Sequence, residues 1–327
     1  MKLLTPASQN PISSSVATVG TFDGVHRGHR RLLERAIELG EREGVPSVAV
    51  TFNPHPAAVV RPDLAPRLIN SFEERLALLE EVGVDYCYLV EFDQARSQEA
   101  AADFVRGTLV DDLGVKAVII GPDFRFGHQR QGDVGLLEEM GKELGFFVEA
   151  DPFVVADTSL SARIRAVLAE DGEMDELVVS STLIRRLVAR GAVDLAAELL
   201  GREFFIAGLV EAGDGRGGAL LGYPTANVAY SSHRLLPADG VFAGWVQHGR
   251  ERTLSAISVG TRPTYYPGGG DRLIEAFLLD YKGDLYGREV TVGFSRFLRG
   301  QEAFDTSAEL VSQIEKDVEN VRATNRS

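Results

Sequence analysis

Through its first 150 residues the chain alternates apolar, β-rich runs with segments whose apolar positions recur at helical spacing. The runs "SVATVG", "VPSVAVTF", "YCYLV", "KAVIIG" and "FFVEA" read as strands. Between them, "HRRLLERAIELGERE", "SFEERLALLEEVG", "AADFVRGTLVDDLG" and "GLLEEMGKELG" read as helices. Wholly apolar strands separated by helices predict an α/β, doubly wound parallel sheet covered on both faces. Such sheets bind ligands beyond the carboxyl ends of their strands, so the strand-to-helix loops are where chemistry is expected.

After about residue 200 the period changes. "EFFIAGLVEA", "GVFAGWVQHG", "RTLSAISVG", "RLIEAFLLD" and "REVTVGFSRFL" are short strands broken by Gly, Pro and Asp turns, which predicts a small antiparallel barrel or sandwich. A terminal amphipathic helix, "TSAELVSQIEKDVENVR", follows, with Thr306 and Ser307 as its cap and Glu309 close behind. The change of period near "LLGREF" predicts two domains, 1–200 and 201–327. Ahead of it, "SARIRAVLAEDG" at 161–172 matches "STLIRRLVARGA" at 181–192 through Ser161/Ser181, Ile164/Ile184, Arg165/Arg185 and Ala169/Ala189. The match is either a short duplication or the coincidence of two amphipathic helices, and the acidic "EDGEMDEL" between them reads as a solvated loop or helix end.

With 44% hydrophobic and 25% charged residues over 327 positions, the composition is that of a soluble, enzyme-sized globular protein. A formal net charge of -14 argues against a general nucleic-acid-binding or anionic-membrane surface, leaving room for a local basic pocket for phosphates. The single cysteine, Cys87, sits in the apolar "DYCYLV", so no intrachain disulfide can form and a reducing compartment fits. No apolar run approaches ~18 residues, and no leader-like apolar segment opens the chain, so the expected location is the cytoplasm.

The most informative loop follows the first strand: "VGTFDGVHRGHRRLL", which holds two of the chain's six histidines, His26 and His29. Glycines let backbone approach a ligand closely, and the helix that begins near His29 offers free N–H groups and a partial positive charge to phosphate. Two imidazoles three residues apart can both serve that point, stabilising charge as it develops. The competing readings are a zinc site, which lacks closely spaced further ligands, and turn residues without chemistry. "TFNPHPAAVV" and "GPDFRFGHQRQG" follow the second and fourth strands, and "VSSTLIRRL" places Ser180, Ser181, Thr182 and Arg185 at a helix N-terminus, as a second phosphate cradle or an ordinary serine cap.

In the second half, "RGGALLGYPTANVAY" puts Thr225 and Asn227 two residues apart in an extended segment, so their oxygens project to one side as hard ligands suited to Mg²⁺ carrying ATP phosphates, or else form a turn with an Asx bond. "GDGRGG", with Gly215 and Gly217, and Gly222 beyond it, offers backbone N–H groups to phosphates. In "RLIEAFLLDYKGDLYG", alternation puts Glu275 on a face with Phe277 and Leu279, where it acts as a general base of raised pKa or simply faces solvent.

Taken in order, "GTFDGVHRGH", "TFNPHP", "GPDFRFG" and "SSTLIR" resemble the nucleotidyltransferase module of the bacterial bifunctional riboflavin kinase/FMN adenylyltransferases, or FAD synthetases. "GYPTANV", "SVGTRPTY", "IEAFLLDYKGDLYG" and "FLRGQEAF" resemble that family's kinase module, a small six-stranded barrel. The resemblance covers essentially the whole chain. It implies riboflavin, FMN and ATP as substrates and Mg²⁺ as the metal. It assigns Gly20, Phe22, Asp23, Gly24, His26 and His29 to ATP, assisted by Ser180, Ser181, Thr182 and Arg185, and Asn53, His55, Asp123 and Arg125 to the nucleotide and flavin side. In the kinase it assigns Gly215, Gly217, Gly222, Thr225 and Asn227 to ATP, the last two to the metal, and Glu275 to the riboflavin 5′-hydroxyl. The terminal helix and the "FLRGQEAF" loop would help enclose the flavin. With no serine, cysteine or lysine set beside a base, in-line attack of the FMN phosphate on the α-phosphorus of ATP is the expected chemistry.

Three features depart from the family pattern: one extra residue between "GDGRGG" and "GYPTAN", Ser258 where asparagine is expected, and an apparent insertion at 156–178 that could modulate the adenylylation cleft. The alternatives are a chain with one active module, or a flavin- or nucleotide-binding protein without chemistry. The joint presence of His26, His29, Thr225, Asn227 and Glu275 argues for the enzyme.

Overall fold

The computed structural model describes residues 1–6, 12–169, 177–211, 225–260, 272–304 and 306–324. Gly215, Gly217 and Gly222, and residues 170–176 of the apparent insertion, lie outside them. The chain divides into two compact units, Met1–Val155 with Val178–Ser180, and Ala156–Leu177 with Ser181–Ser327.

The first unit is built on a parallel sheet of β1 (Lys2–Leu4), β2 (Ser15–Val19), β3 (Ser47–Asn53), β4 (Tyr86–Glu91), β5 (Val115–Ile120) and β6 (Phe147–Ala150), in the spatial order β1-β4-β3-β2-β5-β6. The two-residue period of the strands divides their side chains between two cores. Val16, Ala117 and Ile119 pack with Ala36 and Leu39 of α1 (Arg27–Glu43), while Ala17, Val19, Val118 and Ile120 pack on the opposite face with Leu109 and Leu137. Side chains as completely buried as Ile119, Ile120 and Leu137 each stabilise the unit by about 1.5–3 kcal/mol. From β2 the chain steps one way through β3 and β4, then returns to the other side for β5 and β6. The switch point therefore lies between β2 and β5, whose following loops hold "GTFDGVH" and "GPDFRFG".

The sheet has one strand more than the pattern predicted: β1, three residues long, pairs in parallel with β4 at the edge. "NPHPAAVV" folds into the short α2 (Pro56–Val60). α3 (Phe72–Val82) opens with a complete capping box between Ser71 and Glu74. α4 (Ala101–Phe104) widens into a π-helix over Val105–Asp112, and α5 (Val134–Leu144) is capped by Asp133.

The second unit holds a closed barrel in the order β10-β11-β8-β7-β12-β9, from β7 (Phe204–Glu211), β8 (Thr225–Ala229), β9 (Gly240–His248), β10 (Glu251–Gly260), β11 (Leu273–Leu278) and β12 (Glu289–Arg299). All its pairings are antiparallel. Phe204, Phe242 and Phe294, all fully buried, meet at ring separations of 5.5–5.8 Å. Among the described residues, three helices precede the barrel within this unit: α6 (Thr158–Leu168), α7 (Ser181–Ala189) and α8 (Val193–Leu200). α8 buries Val193, Leu195, Ala196, Leu199 and Leu200 and packs on β7 and β12. The compact division thus differs from a cut at residue 200, because the apolar face of α8 is satisfied by barrel strands. The matched segments are both helical, and both bury the shared isoleucine, Ile164 in α6 and Ile184 in α7. α9 (Ser307–Thr324) lays Ile314, Val318 and Val321 over Ala243, Ala256 and Phe277 on the outside of the barrel.

Candidate active sites

At the end of β2 the backbone enters a turn with positive φ at Phe22 (49°), Gly24 (94°) and Val25 (38°). Only Gly24 adopts such a conformation cheaply; Phe22 and Val25 are held there because both side chains are completely buried. α1 starts at Arg27, two residues before the expected position, because His26 is its N-cap. The His26 Nδ1 accepts the His29 backbone N–H at 3.3 Å. A neutral imidazole that accepts at Nδ1 carries its proton on Nε2, so Nε2 is the donor this ring presents. The His29 ring stacks on that of His26, with centroids 3.6 Å apart, and meets the edge of Phe22 at 5.3 Å. The two imidazoles thus form one unit at the head of a 17-residue helix, beside its first free N–H groups. Gly28 makes room for it: a Cβ there would lie 3.1–3.2 Å from the His26 ring and 3.3 Å from the Val179 carbonyl oxygen.

Asp23 takes a different place from the one the sequence suggested. It is 1% exposed, and its carboxylate accepts the backbone N–H groups of Ile69 and Asn70 at 2.9–3.2 Å, so it braces the turn from behind. Sequence reasoning missed its counterpart. Arg75 of α3, 6% exposed, donates through Nη1 to the Thr21 carbonyl at 2.7 Å and through Nη2 to the Phe52 carbonyl at 2.9 Å. Burial lowers its pKa from the ordinary arginine value. An arginine in "EERLALL" reads as a solvated helix residue, and no local signal gives away its carbonyl partners.

Asn53, half-buried, ends β3, and His55 caps α2 through Nδ1, which accepts the Ala57 N–H at 3.2 Å. Beyond β5, Asp123 and Arg125 are exposed. Arg125 donates to Asp133 at 2.9 Å, and the Leu136 N–H and then this guanidinium hold the Asp133 carboxyl below its usual range. An exposed pair of this kind is weak, so Arg125 is available to an anionic ligand. Ser180 belongs to the first unit, while Ser181, Thr182 and Arg185 open α7 in the second.

On the barrel, strand register brings the predicted kinase residues together. Ala226, Val228, Ile274 and Ala276 point into the core, so Thr225, Asn227 and Glu275 occupy the outer face. Asn227 is the direct cross-strand partner of Glu275, and Glu275 that of Ser258, so the three form a row across β8, β11 and β10. Directly opposite residues place their Cβ atoms roughly 4.5–5.5 Å apart. In the next row on this face, Thr225 pairs with Phe277, which packs under α9. The "FLRGQEAF" segment is anchored at the same edge: Gln301 donates to the Val259 carbonyl at 3.1 Å, and Arg299 pairs with the buried Asp317 of α9 at 2.7 Å. Among the described residues no group of three or more His, Cys, Asp and Glu could hold a metal ion. The hard oxygens of Thr225 and Asn227, side by side near a carboxylate, fit instead a divalent cation that shares its coordination with phosphates.

The chain matches the family model of FAD synthetase over residues 8–163 and that of riboflavin kinase over residues 200–325. It is 37% identical over 311 residues to the bifunctional riboflavin kinase/FMN adenylyltransferase of Escherichia coli K12, covering 95% of this chain and 92% of that protein. To the protein of the same name from Pseudomonas fluorescens it is 39% identical over 312 residues, covering 94% and 92%. A solved structure named as a macrolide-efflux protein from Streptococcus pneumoniae has the same fold, with a TM-score of 0.82 at 28% identity over 98% of this chain and 99% of that one. Among the described residues here, no helix is long and apolar enough to cross a membrane.

Proposed function

Since the chain belongs to the family of bifunctional riboflavin kinase/FMN adenylyltransferases, and is an enzyme with both activities, we propose that residues 1–200 transfer the adenylyl group and residues 201–327 phosphorylate riboflavin. ATP is consumed in both steps, and a divalent metal accompanies it. We assign the metal as Mg²⁺, held with the ATP phosphates by the Thr225 hydroxyl and the Asn227 amide oxygen in the kinase; when bound, it neutralises phosphate charge.

In the kinase step, Glu275 accepts the proton of the riboflavin 5′-hydroxyl as that oxygen bonds to the γ-phosphorus, and the bond to the bridging oxygen of ADP breaks. The register that sets Glu275 directly beside Asn227 is the observation that carries this reading, because it puts base and phosphate-side ligand within one residue's width. In the second step a phosphate oxygen of FMN attacks the α-phosphorus of ATP and pyrophosphate leaves. His26 Nε2, His29 and the N-terminus of α1 stabilise the charge on the phosphates. Asn53, His55, Asp123 and Arg125 line the nucleotide and flavin side, and Ser180, Ser181, Thr182 and Arg185 add a second set of phosphate donors. Both substrates, and a lone cysteine that forms no disulfide within the chain, fit the cytoplasm.

A chromatographic time course with riboflavin and the magnesium salt of ATP tests the reading. FMN rises first and gives way to FAD. Glu275→Gln abolishes FMN formation and leaves conversion of supplied FMN to FAD intact. A Glu275→Gln enzyme that makes FMN at the parent rate removes Glu275 as the base, and a parent chain that turns over neither flavin leaves only binding.

A further inference from the structure

The first unit buries two opposite charges behind the phosphate turn, and both bond to backbone groups. The Asp23 carboxylate receives two backbone N–H groups, from Ile69 and Asn70. The Arg75 guanidinium donates to two backbone carbonyls, at Thr21 and Phe52. Those carbonyls close β2 and β3. Thr21 begins the turn that ends in His26, and Phe52 precedes Asn53 and His55. Ordinary sheet bonding links these ends only up to Gly20, whose N–H donates to the Val50 carbonyl. Past that point the chains diverge, and the planar fork of Arg75 spans the gap, seconded by the Thr51 hydroxyl at 3.3 Å from the Thr21 oxygen. The complete capping box at Ser71 and Glu74 fixes the first turn of α3 and hence the base of the Arg75 side chain. The His26–His29 stack leaves little slack, since even a Cβ at Gly28 would press on the His26 ring.

We propose that Arg75 is a positioning residue for adenylyl transfer, holding the loop that carries His26 and His29 at a fixed separation from the loop that carries Asn53 and His55. This rests on the assignment of those loops to ATP and FMN. The guanidinium touches neither substrate. It sets where the two substrate sites stand relative to each other, and a misplacement of about 1 Å between reacting groups costs on the order of 10²-fold in rate.

The test uses the full-length chain, with FAD formation from supplied FMN and ATP, riboflavin phosphorylation and thermal unfolding measured on each preparation. Arg75→Met is expected to lower kcat for FAD formation by on the order of 10²-fold, with smaller changes in the KM of ATP and FMN taken singly, while riboflavin phosphorylation is unchanged. Arg75→Lys, which can reach one carbonyl but not both, falls between Met and parent. Millimolar guanidinium restores FAD formation to Arg75→Ala and not to Arg75→Met, whose side chain fills the space. His29→Ala is assayed alongside. If it forms FAD as the parent does, the phosphate-site reading fails; if it is inactive while Arg75→Met keeps parent kcat and KM, the positioning role alone fails. Loss of activity that tracks a fall in melting temperature across the Arg75 variants, with no rescue by guanidinium, assigns Arg75 to stability and also overturns the proposal. Should Arg75→Met not fold, the lysine variant and the guanidinium rescue decide.

Discussion

In the proposed adenylylation site His26 does two things with two nitrogens, and substitution can separate them. Nδ1 accepts the His29 N–H as the N-cap of α1, and in the proposed site Nε2 donates to a phosphate. Replacing a capping side chain by alanine costs about 1 kcal/mol. For a compact unit of this size, such a loss lowers the melting temperature by roughly 2–4 °C. Losing a donor aimed at developing charge costs about 10²–10³ in kcat, or roughly 3–4 kcal/mol of transition-state stabilisation. His26→Ala should therefore show both effects, while His26→Asn should show only the second. Asparagine is among the best N-caps, and its amide oxygen takes the place of Nδ1, but nothing on it reaches as far as Nε2. The assay is a thermal melt beside steady-state FAD formation from supplied FMN, with riboflavin phosphorylation by the same chain as the internal reference. The expected pattern is an asparagine variant as stable as the parent and some hundredfold slower in FAD formation. An asparagine variant that keeps the parent rate would falsify the assignment of Nε2 to the phosphates. One that melts with the alanine variant would show that the cap bond contributes nothing, and the apportioning above would be wrong.

Gly28→Ala should also uncouple stability from activity. Alanine is the better helix former by up to about 1 kcal/mol, so the melting temperature should hold or rise, while the new Cβ presses on the His26 ring and slows FAD formation; an unslowed enzyme would show the stacked pair to be tolerant of displacement. Cys87 is fully buried, and burial raises its thiol pKa from 9.0 to about 12. In the native protein it should resist alkylation at pH 8.5 and react once the chain is unfolded in urea; labelling of the folded chain at the unfolded rate would contradict its place in the core. The same shift has a sign for stability. Below pH 9 the thiol is neutral in both states and costs nothing. Between about pH 9 and 12 only the unfolded state ionises, so stability should fall as pH rises through that window, and less so in Cys87→Ala.

The parallel sheet could be read from the sequence because its strands are apolar on both faces and each is followed by a helix of clear period. β1 could not: three residues at an edge, "KLL", carry no alternation to count, and only pairing with β4 makes them a strand. The histidine pair was visible as composition in a glycine-bounded turn, but its division of labour was not, since N-cap preference favours Ser, Thr, Asp and Asn and gives histidine no weight. Asp23 and Arg75 were misjudged or missed for one reason. Their partners are backbone groups 46 and 54 residues away, and hydrogen bonds to remote carbonyls and amides leave no trace in side-chain pattern. The kinase residues were the opposite case. Alternation alone put Ile274 and Ala276 on one face and Glu275 on the other, and the structure supplied which face is inside and the register that sets Asn227 and Ser258 on either side of Glu275.

The two sites are made rigid by different means, and this bears on what each tolerates. In the first unit the proposed phosphate turn leaves β2 after the bond at Gly20, so its geometry depends on buried side chains, Asp23 and Arg75, that act from behind it. In the second unit Thr225, Asn227 and Glu275 sit within strands of a closed barrel, where no edge is free to slide. A slip of one residue in β11 would carry Glu275 into the apolar core of the barrel and turn Ile274 outward, a cost no local contact could offset. The kinase constellation is thus fixed by the fold as a whole. Substitutions around it should change activity by removing chemistry rather than by moving it, whereas the adenylylation site should respond to substitutions well outside its own loops.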